Sequence, residues 1–297
     1  MLADMDARTA AALGLTLLLW ASAFAGIRAG LSGYGPFLLA LVRFLTASVM
    51  LGAYAVFARL RAPRAADLGQ LGLLGFLGFT VYHLALNYGE QTVGAGAASL
   101  LIAAGPIFTA LLAVVFLGES LNFWGWLGVL LGFGGVALIA LGEGGGLGFD
   151  PGAFWIVLAA FSTSLYFVFQ KPLHSRYSAL EITTYTLWAG TLWMLPFSKG
   201  LLTAIEKAPL SVTLSALYLG IGPAALAYAL WNYALGRMPA SRVTSFLYLS
   251  PVLAIAIAWL WLGELPTALT VLGGGVAVAG VMVTNVWGRT PAAGDIS

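Results

Sequence analysis

The sequence predicts an all-α integral membrane protein of ten transmembrane helices, arranged as two inverted five-helix repeats. Three observations carry that prediction. The 297 residues are 61% hydrophobic and only 8% charged, against about 25% charged in an ordinary soluble domain. With a mean hydropathy of +0.96 there is too little polar surface to cover a water-soluble particle. The apolar residues fall into runs of helical length, and the second half of the chain repeats marked residues of the first at one fixed offset.

A bilayer-crossing helix takes about 20 apolar residues at about 1.5 Å each. Ten segments qualify: 10–31, 36–57, 68–88, 95–117, 122–141, 153–171, 180–198, 210–235, 241–262 and 268–287. Barrel strands would need only about ten residues of alternating polarity. The first run offers the small-x-small spacing of a cleavage site at Ala21, Ala23 and Ala25, but it is long enough to span and reads as a permanent helix. A turn, Ser32-Gly33-Tyr34-Gly35-Pro36, separates it from the second run, and Arg61-Ala62-Pro63-Arg64 separates the second from the third. The fourth and ninth runs, IAAGPIFTALLAVVFLGE and LYLSPVLAIAIAWLWLGE, each carry a proline inside a helical apolar stretch. The fifth contains Gly128-x-x-x-Gly132 and the tenth Gly273-x-x-x-Ala277. Such spacing lets helix backbones approach closely; packing within one chain is expected rather than dimerisation, so a monomer is predicted. Gly142-Glu143-Gly144-Gly145-Gly146 divides the chain into a first repeat, 1–145, and a second, 146–297.

Lys and Arg set the orientation. With a cytoplasmic N-terminus, Arg8, Arg59, Arg61, Arg64, Lys171, Arg176, Arg237, Arg242 and Arg289 lie inside. Arg28, Lys199 and Lys207 lie outside, and Arg43 falls within a span. Both termini are therefore predicted to be cytoplasmic, in a bacterial inner membrane. The net charge of +2 suggests no nucleic-acid partner, and the absence of cysteine excludes disulfides and thiolate metal sites. No cofactor or metal site is expected.

The repeat is the strongest functional signal. Asn87-Tyr88 matches Asn232-Tyr233, Pro106 matches Pro251, Leu117-Gly118-Glu119 matches Leu262-Gly263-Glu264, Gly128 matches Gly273 and Gly135 matches Gly280, always 145 positions apart. Five spans per half put the second half upside down. Inverted repeats are typical of secondary transporters, with the substrate near the midplane and one half rocking against the other.

The stretch AYALWNYALGRMPASRVTSFLYLSPV (Ala227–Val252), closed by WLGE, resembles the EamA-type proteins of the drug/metabolite transporter superfamily. LWASAF (Leu19–Phe24) and LVRF (Leu41–Phe44) are the weaker counterparts in the first half. The resemblance covers nearly the whole chain. It implies ten helices in two inverted repeats and export of small metabolites or drugs; within the superfamily the chain is most similar to bacterial aromatic amino acid exporters. The small multidrug exporters of the superfamily keep a glutamate in their first helix, where this chain has Trp20, Ala21 and Ser22. A cation–proton exchange built on such a glutamate is not expected.

None of the acids lies deep in a span. Glu119 and Glu264 are expected at the N-terminus of the following helix, where the macrodipole favours negative charge. Arg43 lies about two turns into the second span, where a charge costs roughly 3 kcal/mol; it is predicted to be a gate or anchor that snorkels or pairs with an acid such as Glu90 or Glu143. His83 and Asn87 share a helix face, as do their repeat mates Tyr228 and Asn232. His83 is the candidate proton carrier, since imidazole titrates near neutral pH. The mid-span aromatics Trp20, Tyr82, Tyr166, Tyr228 and Tyr248 are candidate lining for flat solutes, by stacking, or organic cations. Trp124, Trp126, Trp259 and Trp287 fit interfacial anchors. Ser99, Ser162 and Ser245 complete the candidate substrate-binding set, although most span serines bond carbonyls one turn back. Pro106 and Pro251 are candidate hinges, because each removes a helix hydrogen bond near mid-span.

The expected function is alternating-access export of small amphipathic metabolites, amino acids first among them and aromatic ones favoured. Export of lipophilic aromatic cations ranks second, because the buried carboxylate it needs is missing. An enzyme is not expected: His83 and His174 lie far apart, and no His-Glu-x-x-His or Gly-x-Ser-x-Gly motif is present. No span carries the ring-forming charge of a pore.

Overall fold

The computed structural model describes residues 6–118, 120–143, 150–238, 243 and 246–288. Among them there are helices and turns but no β-strand. Ten principal helices follow the apolar runs. The first three are α1 (Ala7–Leu31), α2 (Pro36–Phe57) and α3 (Ala65–Gly89). Next come α4 (Ala95–Ala103 with Gly105–Leu117), α5 (Phe123–Glu143), α6 (Pro151–Phe169) and α7 (Ala179–Met194). The last are α8 (Leu210–Leu235), α9 (Phe246–Leu262) and α10 (Ala268–Val286). Eight of the ten are long and apolar enough to cross a membrane, α7 and α9 being the shorter ones. α7 stops earlier than the hydropathy suggests because Pro196, with no N–H to donate, turns Leu195–Phe197 into a single 3-10 turn. A short helix, Leu201–Lys207, links α7 to α8.

Starts and stops follow local chemistry. Asp6, Asp150 and Thr267 cap α1, α6 and α10 through side-chain oxygens that accept from Thr9, Gly152 and Thr270 N–H groups. Ser178 and Glu181 form a reciprocal capping box on α7. Gly118 and Gly263 end α4 and α9 with φ of 68° and 71°, a left-handed turn that any Cβ would strain. These two glycines are 145 positions apart.

Other local irregularities recur within one residue of the same offset. α3 widens to a π-helix over Phe76–Val81, and α8 does so over Gly222–Leu226. α4 breaks at Ala104 and α9 changes from 3-10 to α-helix at Leu249. In each case the proline two residues later occupies the first turn of the new segment, where its missing donor is harmless. The Gly105 carbonyl at the first break is answered by the Ser164 hydroxyl of α6 at 3.0 Å.

Packing obeys the same relation. α5 and α10 lie antiparallel with backbones almost touching: a Cβ on Gly128 would sit 2.6 Å from the Gly280 carbonyl, and one on Gly135 would sit 2.5 Å from that of Gly273. Gly128 faces the mate of Gly135, and Gly135 the mate of Gly128. Gly75 of α3 meets the α7 backbone at Thr186 and Gly190, while its mate Gly220 of α8 meets the α2 backbone at Arg43. The small-residue seam therefore closes within the chain. In lipid there is no hydrophobic drive between helices, so close backbone approach is what holds such seams. Leu, Val and Phe side chains such as Val56, Phe57, Phe123, Leu130 and Leu260 face outward, as do Trp124, Trp126, Trp259 and Trp287.

Candidate functional site

α1, α2, α3, α6 and α8 converge on a cluster of rings between the two halves. The indole of Trp20 meets Tyr228 at 5.4 Å and Trp231 at 5.0 Å between ring centroids. Phe79 links Phe44 (5.7 Å), Tyr166 (5.9 Å) and Tyr228 (6.2 Å). His83 lies 4.6 Å from Phe44 and 4.4 Å from Tyr82. Phe79 sits inside the π turn of α3. The extra residue in that turn re-aims the side chains that follow, a device common at functional sites. Five residues singled out from the sequence, Trp20, Tyr82, His83, Tyr166 and Tyr228, are thus brought together, with Phe44 and Phe79 added.

Arg43 sits in this cluster. It is 5% exposed, its guanidinium lies 5.4 Å from the Phe44 ring, and its Nε has no hydrogen-bond partner. The expected pairing with Glu90 or Glu143 is not made. Glu143 is occupied elsewhere, accepting from Gly94 N–H at 3.2 Å and from the Thr270 hydroxyl at 2.9 Å. Both Glu90 oxygens are without partners. The cluster therefore holds a cation with no described carboxylate in ion-pair contact.

The remaining candidates divide. Asn87 donates to the Pro36 carbonyl at 2.9 Å and Asn232 to the Tyr228 carbonyl at 2.8 Å; the amide oxygen of each has no partner, nor has Nδ1 of His83. Ser99 bonds the Gly96 carbonyl one turn back at 2.6 Å. Ser162 instead reaches across to the Leu77 carbonyl in the π turn at 2.8 Å. Tyr248 stands apart: its hydroxyl accepts from Asn285 at 3.2 Å, and its ring packs with Ala104, Ile107, Val129 and Val281. Ser245 and Glu119 lie outside the described residues. Ser22, on α1, pairs with the Tyr218 hydroxyl of α8 at 2.5 Å.

Polar clusters close both ends of the bundle. At one end Arg28 of α1 forms an ion pair with Glu264 at 2.9 Å and donates to the Glu90 carbonyl at 2.6 Å. Glu264 does not serve the helix after it, as its position in the sequence suggests; it accepts from Ala95 N–H, the first residue of α4, at 3.1 Å. The left-handed turn at Gly263 swings it there, and Thr267 takes the α10 cap. A cleft of about 240 Å³ opens here between Arg28, Ala97, Glu143 and Glu264. At the opposite end Asp67, in the first turn of α3, pairs with Arg176 and accepts from the Tyr177 hydroxyl at 2.7 Å. Sequence reasoning missed both closures. The signal present was opposite charge at the same predicted face, Arg28 with Glu264 and Asp67 with Arg176.

Among the described residues no three His, Asp or Glu side chains converge as metal ligands. The arrangement suits reversible binding, since it holds a cation without a described anion, unpartnered amide oxygens and aromatic walls.

The EamA-like transporter family model matches residues 9–141 and again 150–286. The chain is 47% identical to the uncharacterized transporter YdfC of Bacillus subtilis, over 91% of this chain and 88% of that one. It is 42% identical to the probable terminal-alkyne amino-acid exporter of Streptantibioticus cattleyicolor, over 92% of each. A crystal structure at 21% identity shares the fold with a TM-score of 0.62, over 95% of this chain and 99% of that one. A multi-pass helical membrane protein, matched along nearly its whole length, this chain belongs to the EamA-like transporter family.

Proposed function

We propose that the protein is an alternating-access exporter of small amphipathic amino acids, aromatic ones favoured, in the bacterial inner membrane with both termini cytoplasmic. The observation that carries this reading is Arg43, buried and without an anion inside a ring of aromatic side chains. An unpaired buried charge is expensive, and such residues inside membranes mark substrate paths. An α-carboxylate would supply the missing anion, in the bidentate geometry a guanidinium prefers. Trp20, Phe79, Tyr82, Tyr166 and Tyr228 would stack on an aromatic or unsaturated side chain. The free amide oxygens of Asn87 and Asn232 would accept from an ammonium group. The relative named as an amino-acid exporter supports the substrate class.

Two repeats, 1–145 and 146–297, form the moving halves in this reading. The paired family matches, the recurring π turns and the reciprocal glycine contacts support it. Pro106 and Pro251 act as hinges, each just after a helix break at equivalent positions of the two repeats. The excess of Arg and Lys at the Asp67 end supports a cytoplasmic location for that end.

Proteoliposomes loaded with labelled amino acids test the proposal. Efflux of phenylalanine or tryptophan should exceed that of glycine or glutamate, and R43Q should lower it at least tenfold while leaving the protein folded. Efflux of a lipophilic aromatic cation, with none of any amino acid, would replace this reading with multidrug export. The aromatic ring cluster would suit such cations, but the positive charge of Arg43 opposes them.

A further inference from the structure

Glu90 is the residue directly after α3. It is fully buried, and neither carboxylate oxygen has a hydrogen-bond partner. Its backbone is held firmly: the N–H donates to the Leu86 carbonyl at 2.9 Å, and the carbonyl accepts from Arg28 at 2.6 Å. The side chain is thus fixed in place without being satisfied. Four groups face it electrostatically: Arg28 from α1, Arg43 from α2, Tyr82 from α3 and Glu264 from the α9–α10 connection. Arg28 is already engaged by Glu264, and Arg43 makes no ion pair with Glu90. Burial therefore outweighs both arginines and holds the carboxyl well above the ordinary carboxylate range. A buried acid in this position neutralises by binding a proton.

We propose that Glu90 is a proton-binding site that couples the mouth at the Arg28–Glu264 end to pH: it holds a proton while that mouth is shut and yields it to water when the mouth opens. The inference rests on the transporter reading above. The step is a plain acid–base exchange. The carboxyl O–H bond breaks, the proton passes to water, and the electron pair stays on a carboxylate that is now hydrated beside Arg28 and Arg43.

The sign follows from linkage. The shut state has the raised affinity for a proton and the open state the ordinary one. Shutting is therefore favoured at low pH, and the advantage is lost as pH rises from the ordinary carboxylate range towards the raised one. In the proposed topology this mouth faces outward, so external protons would shut the emptied carrier.

The chain has no cysteine, so a single introduced thiol reports cleanly. Ala97 lines the cleft below the Arg28–Glu264 pair and is buried. A97C in lipid nanodiscs would be labelled with a membrane-impermeant maleimide and normalised to the exposed control L265C. Between about pH 5 and pH 8 the normalised rate should rise several-fold, approaching tenfold per unit where one proton governs opening. E90Q, which keeps the shape of the neutral acid, should make labelling slow and independent of pH. Unchanged pH dependence in E90Q, or none in the parent, overturns the proposal. So does loss of the dependence in H83Q alone, which would move the proton to His83. Labelling needs no substrate, so it reads the opening of this mouth whether or not the protein transports amino acids.

Discussion

Asp67 and Glu90 are buried carboxylates at opposite ends of one helix, roughly 35 Å apart at about 1.5 Å per residue, and they are treated in opposite ways. Asp67 sits in the first turn of α3, where the exposed N–H groups of the helix favour negative charge. It has an arginine and a tyrosine hydroxyl as partners, and the same Tyr177 oxygen accepts from Arg64 N–H at 2.9 Å. Glu90 sits at the C-terminal end, where the macrodipole disfavours an anion, and its carboxylate has no partner. The first acid is built into an ion pair and a hydrogen bond that hold α3 to the start of α7. The second is built to be neutral. Burial alone does not tell a structural acid from a titrating one; the number of partners and the end of the helix do.

Substitutions at the two ends sharpen the contrast. The largest effect is expected for D67A, which leaves Arg176 without its anion. The Arg176 side chain is 34% exposed, so losing this partly buried pair together with the Tyr177 hydrogen bond should cost about 2 kcal/mol, and thermal denaturation in detergent should show it. Y177F should cost about 1.5 kcal/mol, the scale of one hydrogen bond to a charged group. R28Q removes a pair whose side chains are 27% and 28% exposed, and its cost should be about 0.5–1 kcal/mol. E90Q should have the smallest effect at acid pH, where both forms are neutral. As pH rises above the ordinary carboxylate range, the parent should lose stability while E90Q does not, so the Tm of the parent should fall progressively below that of E90Q. If E90Q proved as damaging as D67A at every pH, the contrast between the two acids would be wrong.

Much of the architecture is legible from residue type and spacing. Span lengths, the turns between them and the 145-residue offset are local or periodic properties, and nine of the ten predicted starts fall within a few residues of the helices found. The predicted start of α9 lies outside the described residues. The aromatic convergence is partly legible: Trp20, Tyr82, His83, Tyr166 and Tyr228 stand out as mid-span rings and do meet. Tyr248 stands out on the same ground and does not join them. Mid-span depth does not specify which way a side chain faces, and the break at Leu249 turns Tyr248 towards α10. Phe44 and Phe79 escape sequence reasoning because a phenylalanine in an apolar run carries no mark of its own.

By itself the sequence determined that this chain lives in a membrane, roughly where it crosses, and that its halves share one pattern. Those properties depend on the polarity of each residue and its near neighbours. Tertiary structure alone decided that Arg43 would lack an anion, that Glu264 would cap α4 rather than α10, and that Glu90 would be the buried acid without a partner. Each of these depends on which distant helix arrives beside a side chain and what it brings. The energy of a charge is set by that company, not by its place in the chain.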